Sequence, residues 1–472
     1  MKHGFRYGFL VVLGLTLASS AWAQWSSDPS QNLALADKSD GADQVQPKVR
    51  PLPKGNWYVS WFDADPKSKP PLGYSVYLQR LSANGVEQFR HHGVRVAHLG
   101  VSSTQDYGLD ADAKGHALLA FLDDREGDNE QVTAAKVSSS GKPLWGKLGV
   151  QLTNDESFHG NPKIAATSDG GIVVGWISDS NVVVQKLDTH GKPQWGSGVV
   201  FSESGSNYGL SDLHAADNGS VIVSWIRDQG FGTNRYIYAN KLAADGSLLW
   251  GTGHVKVFDG GSLQFGAFPY FVPDGNGGAV FAWYSSSPSL QCFAQHILAD
   301  GTEAFGHNGS VASTNTTNVR VDPAASYHAA TNEVFLFWTE EDSTQTYNGI
   351  YGQKFDATGA RQWGQTGLVL VPLGNDQQIF ARNVQIGAGA LAFWVDQAGY
   401  GSATIQATRL NDKGKVVCAQ FPVSTAVSNK SGLASGIVAS SGLAALAFED
   451  DRLGSNGIYI QNVNRDCTLG QK

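Results

Sequence analysis

The chain of 472 residues is 41% hydrophobic and 16% charged, which excludes an intrinsically disordered protein and supplies enough apolar surface for a large core. Its formal net charge of −8, without a cluster of basic residues, excludes the electrostatic footprint of a nucleic-acid-binding protein. The 56 glycines and 13 tryptophans, with few helix-like periods, predict an all-β fold with many turns.

The first 23 residues have the pattern of a secretory signal peptide. Lys2 and Arg6 give a positive start, an apolar run follows at 9–17, and Ala-Trp-Ala at 21–23 is a small-x-small cleavage site. The alternative, an uncleaved anchor, is disfavoured because the run is too short to span a bilayer. The residue directly after the cleavage site is Gln24 and not the Cys of a lipoprotein, and no later stretch is apolar enough for membrane insertion. We therefore expect export to the periplasm or the medium.

Residues 24–46 contain Trp25 and an apolar run at 33–35, which resemble the last quarter of the repeat described next. We interpret 24–46 as a closing strand and linker, and the alternative is a flexible leader. From Pro47 to the C-terminus a unit of four short strands recurs eight times, and 161–201 is its clearest copy.

The second strand of each unit ends in an aromatic residue, and these residues follow one another at intervals of 49 to 60. Six residues before them stands Gly in six of the eight copies, which suits a tight hairpin turn. The closing aromatics are Trp61, Phe121, Trp176, Trp225, Trp283, Trp338, Trp394 and Phe448.

After the third strand the first seven copies continue with a Gly turn, and the first six have a second aromatic, such as Trp195, four residues later. Cys418 occupies this aromatic position in the seventh copy, and Cys467 occupies the Gly position in the eighth. Both therefore lie near the same edge of adjacent units, which predicts a disulfide between them. Cys292 lies in a predicted strand, where we expect a small buried hydrophobic residue.

Units of about 50 residues with four strands each are typical of a β-propeller. We predict a single eight-bladed propeller of four-stranded antiparallel blades over 47–472. The eighth copy lacks its fourth strand, so we expect the N-terminal segment to supply it and to remove two exposed sheet edges. An open β-solenoid, the alternative, usually has shorter units and does not explain the complementary half-units at the two ends.

The repeat pattern of W-x-D, a variable loop and Q-K-L-D-x-x-G-x-x-x-W-G resembles the propeller repeats of secreted, mostly uncharacterised bacterial proteins. It occurs here as WISD and VVVQKLDTHGKPQWGSGVV, and nearly the whole chain after residue 23 takes part. The resemblance implies the fold and not an activity, because propellers carry many unrelated functions. The S-x-D-x-G-x-x-W box of sialidase propellers is not repeated.

Two features point to one face of the predicted disc. Acidic residues follow the aromatic of strand two in nearly every copy, and aromatic residues precede the first strand of several copies. The alternatives are that the acids cap turns and that the rings pack between blades. We expect a ligand to bind on this face around the central channel, with the aromatic rings encircling its opening. Our candidate ligand-binding residues are Tyr107, Asp124, Arg125, His159, Tyr208, Phe265, Asp396 and Arg452.

No local catalytic motif is present: the chain lacks G-x-S-x-G, H-E-x-x-H, Walker A and C-x-x-C sequences. The acidic stretch 123–130 matches no EF-hand loop, so we predict no metal and no cofactor. The favoured function is a monomeric, non-catalytic binding propeller for a glycan or protein. A polysaccharide-acting hydrolase or lyase with a dispersed site, and an envelope scaffold, remain alternatives.

Overall fold

The computed structural model describes residues 24–64, 73–97, 106–125, 129–230 and 234–472. The predicted signal peptide, 1–23, lies outside these residues. Within the described part of the chain, eight antiparallel sheets form eight blades, and strand one of blade 8 contacts strand one of blade 1. The chain is thus a closed eight-bladed β-propeller. No helix in the described ranges has the length and apolar character needed to cross a membrane.

The strands are numbered one to four within each blade, from the centre of the ring outwards. Strand one of blades 1 to 8 spans Gln44–Pro51, Gly108–Ala111, His159–Ala166, Asn207–Ala215, Phe271–Pro273 (with Ser262–Leu263), Val319–His328, Gln377–Ile386 and Lys430–Val438. Strand two spans Trp57–Ala64, Ala117–Asp123, Ile172–Ser178, Val221–Asp228, Ala279–Ser287, Glu333–Glu341, Gly389–Gln397 and Leu443–Asp450.

Strand three spans Tyr74–Leu81, Gln131–Val137, Asn181–Leu187, Tyr236–Leu242, Gln291–Ile297, Asn348–Phe355, Ala403–Leu410 and Gly457–Val463. Strand four spans Val94–Arg95, Val150–Gln151, Val199–Phe201, Val255–Phe258, Ser310–Val311, Leu368–Gly374, Val416–Ser424 and, for blade 8, Leu33–Ala36. Two 3-10 turns join strands one and two in blades 1 and 4, at Pro53–Gly55 and Asp217–Gly219.

Two details differ from the predicted boundaries. Strand one of blade 1 begins at Gln44, inside the segment predicted as a linker. Strand one of blade 5 is split into two short pieces that both pair with strand two. Pro269 lies between the pieces, and proline has no N–H with which to continue a sheet.

Strand two is buried on both faces because neighbouring blades cover it. In blade 2 all seven residues of Ala117–Asp123 are buried, and the largest fully buried side chains of the molecule include Trp225, Trp338 and Trp394, all in strand two. A continuous apolar run is what a strand enclosed on both faces requires. The repeated second-strand tryptophans therefore form the packing between blades.

A second aromatic joins most blades to the next at the disc edge. We call the junction between two blades a seam and this contact the seam latch. Trp195 Nε1 donates a 3.3 Å hydrogen bond to the carbonyl of Ala244, and Trp250 Nε1 donates one of 3.0 Å to that of Ala299. The ring rests on the Gly turn that follows: a Cβ at Gly301 would come within 2.7 Å of Trp250. The turn therefore requires glycine for close approach as well as for its positive φ of 87°.

The N-terminal segment closes the ring as predicted. Leu33–Ala36 pairs antiparallel with strand three of blade 8, with Leu33 opposite Ile460. Trp25 supplies the missing seam latch, because its Nε1 donates a 2.8 Å hydrogen bond to the carbonyl of Ala83. The segment thus provides both the fourth strand and the latch residue of blade 8.

Between blades 7 and 8 a disulfide replaces the aromatic latch. Cys418 and Cys467 are bonded, with Cα atoms 6.5 Å apart. The two cysteines stand where the other seams have an aromatic and a glycine. Cys292 is a free, fully buried thiol in the core of blades 5 and 6.

Replacing Trp25 with alanine is expected to lower the free energy of unfolding by about 3–5 kcal/mol, because a buried indole and its hydrogen bond are lost. Hydrogen exchange should rise in Leu33–Ala36 and in Gly457–Val463. The matched control, Trp145→Ala at the seam between blades 2 and 3, should destabilise the protein but leave exchange in those two strands unchanged. Unchanged exchange in Trp25→Ala would contradict this role.

The cysteine pairing is checked by alkylation of the unfolded, unreduced protein, followed by peptide mass spectrometry. Iodoacetamide is expected to label Cys292 alone, and reduction should expose Cys418 and Cys467. Loss of the crosslink by Cys418→Ser with Cys467→Ser should cost about 2–4 kcal/mol of stability. Labelling of all three thiols before reduction would show that the bond does not form.

Candidate functional site

The two ends of the disc differ in what they expose. One end, which we call the loop face, carries the loops between strands two and three and the connections that cross to the next blade. Backbone hydrogen bonds join these two kinds of loop. The N–H of Asp179 donates to the carbonyl of Phe158 at 2.8 Å, and the N–H of Tyr208 donates to the carbonyl of Ser180 at 2.9 Å. The other end, the hairpin face, carries short turns.

A β-bulge recurs in strand one and sets which side chains reach the centre of the ring. The pairing of strands one and two shifts between Val45 and Lys48, and equivalent shifts occur in blades 3, 4, 6, 7 and 8. Bulges redirect the side chain that follows them. The residues directly after the shift are Lys48, Lys163, Asp212, Ala324, Arg382 and Ala434.

Three of these residues, together with an aspartate and a tyrosine from other parts of the chain, form what we call the central cluster. Its members are Lys48, Asp106, Lys163, Asp212 and Tyr270. Asp106 accepts hydrogen bonds from the Tyr270 hydroxyl at 2.6 Å and from Lys163 Nζ, and its other oxygen lies 2.5 Å from Lys48 Nζ. Asp106 precedes blade 2 and Tyr270 belongs to blade 5. Blades three positions apart in a ring of eight meet only near its axis, so this contact crosses the centre.

Asp212, the fifth member of the cluster, is held in place by its own hydrogen bonds. Its carboxylate accepts from His214 Nε2 at 2.9 Å and from the backbone N–H groups of Phe271 at 3.1 Å and Leu213 at 2.9 Å. Arg382 approaches from blade 7, and its Nε donates to the carbonyl of Leu433 at 3.1 Å. Polar groups of blades 1 to 5 and 7 therefore converge at one place.

The charges of the cluster are fixed by their neighbours. Burial opposes ionisation of Asp106, but the ammonium groups of Lys163 and Lys48 outweigh it and hold its pKa far below the usual range. Burial also opposes ionisation of Asp212, yet His214 and Lys163 keep its pKa low. Burial and the charge of Asp106 raise the pKa of Tyr270 well above its usual value. The cluster thus offers stable carboxylates and a protonated phenol, an arrangement suited to holding a ligand.

The exposed aromatic side chains share this end of the disc. In the described part of the chain, the strongly exposed aromatic side chains lie in loops of the loop face or in the stretch that joins the two pieces of strand one of blade 5. They are Phe158, Phe265, Tyr270, Tyr347 and Tyr400. On the hairpin face and the outer strands, the exposed large apolar side chains are aliphatic, such as Leu249 and Val200.

Two predicted binding aromatics are packing residues instead. Tyr107 is only 1% exposed, its ring lies 4.5 Å from that of Phe62, and its hydroxyl bonds Ser60 Oγ at 2.9 Å. Tyr208 is 2% exposed and packs against Trp225. The expectation that these rings encircle the opening is therefore wrong, because the start of strand one turns them into the space between blades.

The predicted charged candidates mostly stabilise turns. His159 is buried, with Nε2 at 3.1 Å from Asp155. Arg125 pairs with Asp123 at the end of its own strand. Arg452 does the same with Asp450 at 2.6 Å, and its guanidinium also covers the ring of Tyr459 at 4.0 Å. An arginine that is held in this way is less available to a ligand.

The other three candidates remain accessible in part. Asp124 is half-buried beside the turn of Arg125. Asp396 is half-buried and accepts a 2.7 Å hydrogen bond from Gln378 Nε2. Phe265 is exposed on the loop face, and the guanidinium of Arg235 lies 5.4 Å from its ring.

The sequence did contain a signal for the central cluster. Gln46-Pro47-Lys48 and Asn161-Pro162-Lys163 stand at the same point of the repeat, and both Gln46 and Asn161 have positive φ. A basic residue that recurs after proline on the innermost strand marks a side chain directed at the axis. Asp106 and Tyr270 follow no such pattern.

Two further places in the chain bring polar residues together. A cavity of about 370 Å³ on the hairpin face is lined by Asp274, His296 and Tyr327 among others. Its His296–Asp274 pair repeats the ion pair that Lys241 makes with Asp217, so it belongs to the blade framework. In the acidic stretch 123–130, residues 126–128 lie outside the described residues.

Comparisons with known proteins bear on the fold. No protein-family model and no curated protein sequence matches the chain. The Dos1 propeller is similar at a TM-score of 0.50 and 10% identity, over 91% of this chain and 95% of that one. A protein of unknown function from Dyadobacter fermentans gives 0.42 and 8%, over 92% and 98%. A Penicillium chrysogenum alpha-L-arabinanase complexed with arabinobiose gives 0.41 and 10%, over 93% and 99%. At these identities the likeness extends to the fold alone.

Replacing Asp106 with asparagine is expected to lower the free energy of unfolding by about 3–5 kcal/mol at pH 7, because two partly buried lysines lose their counter-charge. The depressed pKa of Asp106 stabilises the native state above the unfolded-state value of about 3.9, and this contribution is lost as pH falls below it. The variant should therefore lose less stability than the wild type between pH 5 and pH 3.

Urea unfolding at a series of pH values measures this difference. Asp376→Asn, at an exposed position, is the matched control and should retain the wild-type pH dependence. If Asp106→Asn and the wild type lost the same free energy of unfolding between pH 5 and pH 3, the carboxylate would not be held by the two lysines.

Proposed function

We propose that this protein is a non-catalytic binding propeller whose loop face, together with the central cluster, binds a glycan. The observation that carries the proposal is that Tyr270, one of the exposed aromatic side chains, is also a member of the central cluster. Ligand sites usually combine apolar and aromatic surface with a few fixed polar groups. The C–H face of a sugar ring can cover an aromatic ring while its hydroxyl groups bond to carboxylates and ammonium groups.

The charge balance of the site favours an uncharged or weakly charged sugar. Lys48 and Lys163 face Asp106 and Asp212. The central cluster therefore contains two positively charged hydrogen-bond donors and two negatively charged acceptors. Such a set suits hydroxyl groups, which both donate and accept. A strongly anionic or cationic ligand would leave one sign unmatched. The predicted signal peptide, if cleaved, would bring this face into contact with extracellular or periplasmic glycans.

Catalysis by the same cluster is less well supported. A general acid or base works best with a pKa near the ambient pH. Asp106 and Asp212 have pKa values held low, and the pKa of Tyr270 is raised. These shifts move the three groups away from proton transfer at neutral pH. The central cluster therefore gives no support to the hydrolase or lyase alternative.

Screening the purified protein on a glycan array, with polysaccharide affinity electrophoresis, tests the proposal. Tyr400→Ala and Phe265→Ala are expected to weaken binding by roughly fivefold each, since a stacking contact contributes about 1 kcal/mol. Tyr400 is 92% exposed, so its removal should leave the melting temperature unchanged. Shortening of the polysaccharide during incubation would instead indicate an enzyme.

Leu249→Ala and Val200→Ala are matched controls, because both remove exposed apolar side chains away from the loop face. They should leave glycan affinity unchanged. Equal losses in the controls and in the aromatic variants, or no glycan bound at all, would contradict the assignment of the loop face.

A further inference from the structure

Two histidines of blade 1 meet an aspartate of the closing segment. Asp37 directly follows Leu33–Ala36, and His91 and His92 lie in the turn before strand four of blade 1. The Nε2 atoms of His91 and His92 lie 3.0 and 2.8 Å from the same oxygen, Oδ1 of Asp37. Each of the three side chains is about a third to a half exposed, so an ion in solution can reach them.

The two rings are held in place by independent contacts. Glu87 lies 3.1 Å from Nδ1 of His91, which fixes that ring and leaves its Nε2 directed at Asp37. His92 has a φ of +66°, an uncommon conformation for a residue with a side chain, and this backbone holds its ring beside that of His91. A carboxylate on the far nitrogen of a histidine is the usual support for a metal-ligating imidazole.

The repeat provides a second copy of this arrangement that lacks one histidine. In blade 5, His307 Nε2 lies 3.0 Å from Asp259 and its Nδ1 lies 3.1 Å from Glu303. The residue at the position of His92 is Asn308, whose φ is +68°. Its side-chain oxygen accepts backbone N–H groups of Asp259 and Gly260. A Glu–His–Asp bridge is therefore a blade-to-blade contact in both places, and His92 is the addition.

We propose that Asp37, His91 and His92 form a binding site for a divalent transition metal, with Zn²⁺ as the best match. Their ligand atoms all lie within 4.8 Å of one another, and no other such group of three occurs among the described residues. Two imidazole nitrogens and one carboxylate oxygen are common ligands of Zn²⁺, with bonds of about 2.0–2.2 Å. Tetrahedral donors are then about 3.3 Å apart, slightly more than the 3.0 and 2.8 Å that now separate the two Nε2 atoms from Asp37 Oδ1.

The bound ion would join the closing segment to blade 1. Asp37 belongs to the N-terminal segment and the histidines belong to the first complete blade, so the ligands come from the two sides of the ring closure. A ligand that binds only the folded state stabilises it by mass action. Zinc should therefore raise the melting temperature of the closed ring, and chelation should reverse the increase.

The test uses purified full-length protein without a polyhistidine tag, stripped with a chelator and titrated with Zn²⁺ against a chromophoric competitor. We expect one ion per chain, and Co²⁺ in its place should give the visible absorption of a tetrahedral site. His92→Asn copies the residue of blade 5 and suits the positive φ. Since loss of a supporting residue alone costs 10–100-fold, loss of this ligand should weaken binding by at least about tenfold.

The second copy supplies both a control and a gain of function. His307→Gln should leave the affinity and the stoichiometry unchanged, whereas Asn308→His should add a second equivalent of Zn²⁺ per chain. Circular dichroism confirms that each variant is folded. Absence of a tetrahedral Co²⁺ spectrum, or equal Zn²⁺ affinity in the wild type and His92→Asn, would overturn the proposal.

Discussion

The fold depends on one contact made at seven of the eight seams: an aromatic ring lies on the glycine turn of the next blade. The contact works only because the turn has no side chain, since a Cβ at Gly246 would come within 3.1 Å of Trp195. The ring is also aligned by its own blade, because Gln185 accepts from the backbone N–H of Trp195 at 2.9 Å. Glutamine, glycine and tryptophan therefore recur together in the repeat.

The same contact explains the two exceptional seams. Blade 8 has no latch residue of its own, and Trp25 reaches the Gly85 turn from the other end of the chain. Between blades 7 and 8 a covalent bond between Cys418 and Cys467 takes over. Adjacent blades are therefore connected at this point in one of two ways, by an aromatic ring packed on a glycine turn or by a disulfide. The closing blade is thus held by a disulfide on one side and by the N-terminal segment on the other.

The fold was predictable from sequence because its constraints are periodic. Each blade must bury strand two, so Trp225 and its counterparts recur at a spacing that reveals the register, and the half-units at the two ends reveal the closure. The site was much less predictable. Tyr107 has the right position along the repeat, but a local turn directs it between blades. The contact of Asp106 with Tyr270 joins residues 164 positions apart, outside any period.

The closing strand has a consequence for the order in which the chain can fold. The N-terminal segment hydrogen-bonds to residues as far as 447 positions later, so its partners are synthesised long after it. Blades 1 to 7 can form as the chain lengthens, but Leu33–Ala36 must wait unpaired until blade 8 exists. Non-local pairing of this kind is slow and leaves sheet edges open to other chains. Pairing of the closing strand is therefore also the step that covers the open sheet edges through which the protein could aggregate.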